Sequence, residues 1–219
     1  MPPHSNNVEL IGYYGSDTTH ALSAWTSTSR ELTDEKRNRI PQLLKMLAEN
    51  EHHSVFEKSS LHFLVTTDVS SHIHLIKHRV GVSVNAESAR YKELKDDKYY
   101  VPIDWDKNEQ DLYAQHIEDS FKKYHETLDR LIAKGISRKR AKESARLYLP
   151  YGNQLTADVM FNFRSFYHFI KLRYSMHAQL EIRDIARDML HHVKATEKFN
   201  DTLEAFGLLV DGKIRGPFE

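Results

Sequence analysis

Tyr113, Ile117, Phe121, Tyr124, Leu128 and Leu131 step by fours and threes, so residues 109–134 lay one apolar stripe along a single long helix. That stripe needs a partner surface, because helix stability in proteins comes mostly from burying such a face. Gly135 is the natural stop, and Ser137 can cap a following helix that carries Arg138, Lys139, Arg140 and Lys142 and ends at Arg146-Leu-Tyr-Leu-Pro150. A second pattern limits what the partner can be. Leu61, Phe63 and Val65 alternate with His62, Leu64 and Thr66, which predicts a strand leading through Thr67-Asp68 into a helix over 69–79. Val8–Tyr14 and residues 154–162 also read as strands. Helices are predicted on Ile40, Leu43, Leu44 and Leu47 behind Pro41, over 164–172, and over 178–193 on Ala178, Ile182, Ile185, Met189 and Val193. The charged run Lys92–Lys98 reads as a surface loop. Few strands and long helices make the class α+β, and with no linker or internal repeat in the chain, residues 1–219 are expected to form a single domain.

Composition excludes several chemistries. With no cysteine, the chain has no disulfide, no thiolate metal site and no sulfur nucleophile. Eight glycines form neither Gly-x-Gly-x-x-Gly nor a Walker loop, so a nucleotide must be held by side chains. The 31 basic and 31 acidic residues balance and supply no global field for nucleic acid. The opening Met1-Pro-Pro-His-Ser-Asn-Asn has no leader pattern and no apolar run is long enough to span a bilayer, so a cytoplasmic protein without membrane contact is expected.

Chemistry concentrates in Lys77–Tyr91, where Lys77, Arg79 and Arg90 stand with Ser83, Ser88 and Asn85 directly after an apolar segment. Cations and hydroxyls at this density suit a phosphorylated ligand. Other blocks follow a matching order: His52-His53-Ser54-Val55-Phe56-Glu57, Ala145-Arg146-x-x-Leu-Pro150, Asn162-Phe-Arg-Ser165, His168-Phe-x-x-Leu-Arg173 and His177-Ala-Gln-x-Glu-Ile182. Together these resemble the flavin-dependent thymidylate synthases, whose signature reads Arg-His-Arg, seven residues, then Ser, commonly continued as Ser-x-Asn-x-x-Ser-x-Arg-Tyr. The resemblance is scattered over residues 40–195.

It implies a small, mainly antiparallel sheet flanked by long helices, and reductive methylation of dUMP to dTMP. Methylenetetrahydrofolate would be the carbon donor and FAD, reduced by NADPH, the hydride carrier, in a homotetramer whose sites draw on several subunits. Arg173 matches the family arginine that promotes ionisation of the uracil ring, a role suited to a planar, permanently charged donor fork. Ser54, Lys77, His78, Arg79, Asn162, Arg164 and His168 match FAD-contacting positions, and Glu87, one place past the family glutamate, is a candidate for that set. His74, Lys77, Glu87, Ser88, Ala89, Arg90, Arg146 and Arg173 match positions on the nucleotide side.

The chain also departs from the signature. Lys77 replaces the first arginine, eight residues rather than seven separate Arg79 from Ser88, and Ala86 stands where a glutamate is common, with Glu87 one place later. Gly81 is expected to absorb the extra residue. His62, His72, His125, His191 and His192 fall outside the matched blocks and are expected to be structural or surface residues. His72, His74 and His78 lack a carboxylate in helical register, so no metal is expected. Arg138-Lys-Arg140 reads as a solvated helix face, and Phe161, Phe163, Phe166, Tyr167 and Phe169 as core or subunit interface. A non-catalytic nucleotide- or RNA-binding protein on the same fold is the alternative reading, and a histidine-based metal hydrolase a distant third.

Overall fold

The computed structural model describes residues 5–88 and 97–219. In chain order it runs β1 (Asn7–Tyr14), α1 (Asp17–Ala24), α2 (Asp34–Asn38), α3 (Ile40–Glu49), β2 (Ser60–Asp68), α4 (Val69–Ile76) and β3 (Val82–Ala86). There follow α5 (Lys107–Ala133), α6 (Arg138–Ala145), β4 (Gln154–Phe161), α7 (Phe163–Arg173), α8 (Leu180–Ala195), α9 (Asn200–Ala205), β5 (Leu209–Val210) and β6 (Lys213–Ile214). The class is α+β, with a small antiparallel sheet and long helices. The four-stranded sheet has the order β1-β2-β4-β3, and β5 and β6 form a separate antiparallel pair. Among the described residues no helix is long and apolar enough to cross a membrane.

Two compact units share these elements: residues 1–7, 66–74 and 85–157 form one, and residues 8–65, 75–84 and 158–219 the other. In the first, α5 starts at Asp106, whose carboxylate accepts from Glu109 N, and gives way at Gly135, whose φ of +83° suits a residue without a Cβ. Its stripe is buried in two patches. Ile117 and Phe121 pack with Tyr99 and Val101, while Tyr124 and Leu128 pack with Ala141 and Ala145 of α6.

In the second unit, alternate residues of β2 and β4 point inward, and Leu61, Phe63, Val65, Val159 and Phe161 are fully buried. α7 lies against them, with Phe166 stacked on Phe63 at 5.9 Å and Phe169 tilted against Phe161 at 5.3 Å. The expected aromatic cluster is therefore core in this unit, apart from half-buried Tyr167. Beneath it lies a buried polar chain. His20 meets Ser59 Oγ through Nε2 at 2.8 Å and Thr202 Oγ1 through Nδ1 at 3.0 Å, and Thr202 donates onward to Asp17 Oδ1 at 2.5 Å. Because Asp17 also accepts the N–H groups of Asp201 and Thr202, it caps α9 from α1.

The predicted elements are present within a residue or two, with two corrections. The helix expected over 69–79 stops at Ile76. His78 N–H closes a tight turn on Leu75 O, and the next carbonyls are taken by α7: Ser165 Oγ donates to Val80 O at 2.6 Å and Asn162 N–H to Gly81 O. The helix expected from 178 begins at Leu180 and runs to Ala195, after Gln179 as an uncapped first residue.

Candidate active site

α7 and the turn after α4 build the first cavity. Asn162 caps α7 by accepting from Ser165 N at 2.8 Å, and the Asn162 and Ser165 groups described above fasten residues 80 and 81 to the same helix end. Gly81 sits at φ +66°, where a Cβ would clash with Asn162 Nδ2 and Ser165 Oγ. This left-handed turn lies within the segment of the signature that carries the extra residue. Lys77, His78 and Arg79 are thereby held beside α7.

Together with Ser165, His168 and Arg173, these three residues line a cavity of about 270 Å³ whose remaining walls are apolar. None of the described residues that line it is a carboxylate, so their field favours an anion or a developing negative charge. Arg173 ends α7, and its Nε donates to His78 Nε2 at 3.0 Å. The His78 ring is buried edge-on against Phe169 at 5.0 Å and His168 at 5.7 Å. Burial, then the Arg173 charge, then His168, push its pKa down to about 4.

The second cavity belongs to the first compact unit, measures about 340 Å³, and presents Glu87, Ser88, Arg146, Tyr151 and Asn153 against the apolar side chains of Val69, Leu149 and Leu155. A cation, a hydroxyl and an amide facing an apolar wall can take a polar ring with an anionic tail. Glu87 spends one carboxylate oxygen on Thr156 N at 3.0 Å, while its own N–H donates to Thr156 O. That pairing continues the strand ladder past β3 and fixes the displaced glutamate beside Ser88.

Comparison with known proteins fits this arrangement. The family model described as thymidylate synthase complementing protein matches residues 9–196. A flavin-dependent thymidylate synthase of Pseudothermotoga lettingae is 32% identical over 186 residues, covering 82% of this chain and 80% of its own. The chain belongs to the flavin-dependent thymidylate synthase family. The enzyme of that name from Thermosipho africanus is 30% identical over 218 residues, covering 91% of this chain and 90% of its own. Among solved structures, the UMP/dUMP methylase PolB from Streptomyces cacaoi, bound with 5-Br dUMP, superposes with a TM-score of 0.78 at 28% identity over 94% of this chain and 97% of that one. The same methylase bound with 5-Br UMP gives 0.76 at 26% identity, covering 94% and 96%.

Against the family signature, the structure gathers some residues and leaves others apart. Lys77, His78, Arg79, His168 and Arg173 share the first cavity, and Glu87, Ser88 and Arg146 the second. Ser54 is exposed in the turn His53–Glu57, and Arg164 is ion-paired to Glu57 at 2.6 Å. Asn162 is occupied at least in part as a helix cap, and His74 is half-buried on α4. Ala89 and Arg90 lie outside the described residues.

The remaining histidines have structural partners where contacts are seen: His62 with Asp158, His125 with Asp97 at 2.9 Å, His192 with Val8 O at 2.9 Å. Among the described residues no group of three or more His, Cys, Asp or Glu is placed to hold a metal. Sequence reasoning passed over Ser165, although Asn162-x-x-Ser165 is a capping pattern, and it passed over Tyr151 and Asn153, which follow Pro150 in an irregular stretch without periodicity.

Proposed function

We propose that this chain is a flavin-dependent thymidylate synthase that converts dUMP to dTMP. The observation that carries the reading is the convergence of Lys77, His78 and Arg79 with His168 and Arg173 in one carboxylate-free cavity, from segments about ninety residues apart, in a chain of this family. The donor set suits FAD: Lys77 and Arg79 offer charge to a pyrophosphate, and imidazoles can meet the edge of an isoalloxazine. At about 270 Å³ the cavity falls below the ~300–1,000 Å³ of pockets that enclose a drug-sized ligand, which supports a cofactor only partly held by one chain and completed in a homotetramer. Ser54, Asn162 and Arg164 are the further cofactor contacts. When bound, FAD supplies the hydride chemistry, with NADPH as its reductant and methylenetetrahydrofolate as carbon donor.

On the nucleotide side, Arg146, Arg90, Ser88 and the N–H of Ala89 hold the phosphate, with His74 and Glu87 nearby in the binding set. Arg173 donates to the uracil imide, where negative charge develops as C5 becomes nucleophilic. The absence of cysteine supports this route over one that begins with a thiolate attack on the ring. Five chain crossings between the compact units, at 7/8, 65/66, 74/75, 84/85 and 157/158, support their acting as one domain.

The test is colour followed by turnover. The purified protein should be yellow, bleach with NADPH, and release tritium from 5-tritiated dUMP in the presence of methylenetetrahydrofolate. A colourless protein that cannot be reconstituted with FAD would overturn the reading. Because the related methylase was solved with both 5-Br dUMP and 5-Br UMP, UMP should be assayed in parallel to fix the sugar preference.

A further inference from the structure

The bond between Arg173 Nε and His78 Nε2, at 3.0 Å, joins residues 95 positions apart. A guanidinium only donates, so Nε2 must carry a lone pair, and the ring is neutral with its proton on Nδ1. His78 is only 8% exposed, and the other titratable groups lining its cavity are Lys77 and Arg79 from its own loop and His168 and Arg173 from α7. None of them is acidic. A proton on His78 would therefore be both poorly solvated and repelled, which is why its pKa lies near 4 and the pairing holds across the neutral range.

Arginine offers two donor forks, one from Nε with an Nη and one from the two Nη groups. Since the guanidinium is planar, a bond that fixes the direction of Nε–H also fixes the plane of the other donors. We propose that His78 is the positioning residue of Arg173: it occupies the Nε–H and orients the guanidinium plane toward the uracil imide. This rests on the thymidylate synthase reading, and it gives His78 a task in addition to its cofactor contact. Phe169 supports the arrangement by packing on the His78 ring one helical turn before Arg173.

Two variants of the holoenzyme separate the possibilities. His78→Phe keeps an aromatic ring against Phe169 but offers no acceptor, while His78→Gln gives up the ring and keeps an acceptor oxygen. If the bond positions Arg173, the Phe variant, reconstituted and assayed at saturating FAD, loses about 100-fold in kcat, the scale expected for a small misplacement of a reacting group. The Gln variant recovers most of that loss, with the same pH profile as wild type between pH 5 and 9. Wild-type turnover in the Phe variant at saturating FAD would overturn the proposal, as would a Gln variant as slow as Phe. If the wild-type holoenzyme releases no tritium from dUMP, the thymidylate synthase reading fails and the positioning role falls with it.

Discussion

A guanidinium at position 173 combines permanent charge, a planar fork and a spare N–H for a neighbour, and a lysine ammonium provides only the charge. Arg173→Lys should therefore leave the cavity cationic but lose both the His78 bond and the fork. The expected fall in kcat is on the order of 10²–10³-fold, as for loss of one preorganised donor, read as tritium release at saturating dUMP. Near-normal turnover would remove Arg173 from the chemistry. Gly81 makes a prediction about stability. At φ +66°, with Asn162 and Ser165 against the Cβ position, Gly81→Ala should cost about 2 kcal/mol or more in chemical denaturation. The identities of these residues were legible in the sequence, because a spaced signature carries them. The His78–Arg173 pair was not, since side-chain pairing across 95 residues depends on how α7 is fastened to the loop, and periodicity says nothing about that.

Among the elements, α1 and α9 are tied by two groups whose titrations oppose each other. Burial pushes His20 down to about 4 from 6.5, so the unfolded chain binds that proton more tightly, and the stability this neutral ring contributes is lost as pH falls from 6.5 toward 4. Burial pushes Asp17 up to about 6 from 3.8 against the hydrogen bonds from Thr202 and Asp201, so here the folded chain binds the proton more tightly. Its contribution, present at low pH, is lost as pH rises through 6. Between about pH 4 and 6 the two slopes nearly cancel. Relative to wild type, Asp17→Asn should gain stability with rising pH over that window and His20→Gln should lose it, each by on the order of 3 kcal/mol, measured from urea midpoints. Parallel pH curves for all three proteins would show that these groups are not coupled to folding.

Neither α1 nor α9 was legible beforehand, for different reasons. Asp-Thr-Thr-His-Ala-Leu-Ser-Ala buries a histidine and an alanine and leaves no apolar stripe, while α9 is six residues long, too short for a period to register. β3 escaped notice because, as an outer strand of the four, it buries little of its length. The α5 stripe, by contrast, spans 27 residues and could be read directly.

At the scale of the whole molecule, the signature crosses between the compact units at 84/85, so its Lys77-His78-Arg79 part belongs to one and Glu87-Ser88 to the other. The sequence showed the α+β class and most elements, but it gave no sign of this interleaving, because contact partners and not local composition define the units. The family match has an edge of a different kind. It stops at residue 196, yet Phe199 stacks on Phe163 at 5.7 Å, Phe206 packs on Phe56 at 4.7 Å, and Thr202 is the link between His20 and Asp17. A version trimmed to the matched segment would strip the aromatic lid from α7, leave His20 Nδ1 unpaired and take the Thr202 and Asp201 donors from the Asp17 carboxylate, a combination that favours aggregation over cooperative folding. For this chain, the family-model match ends inside the folding unit.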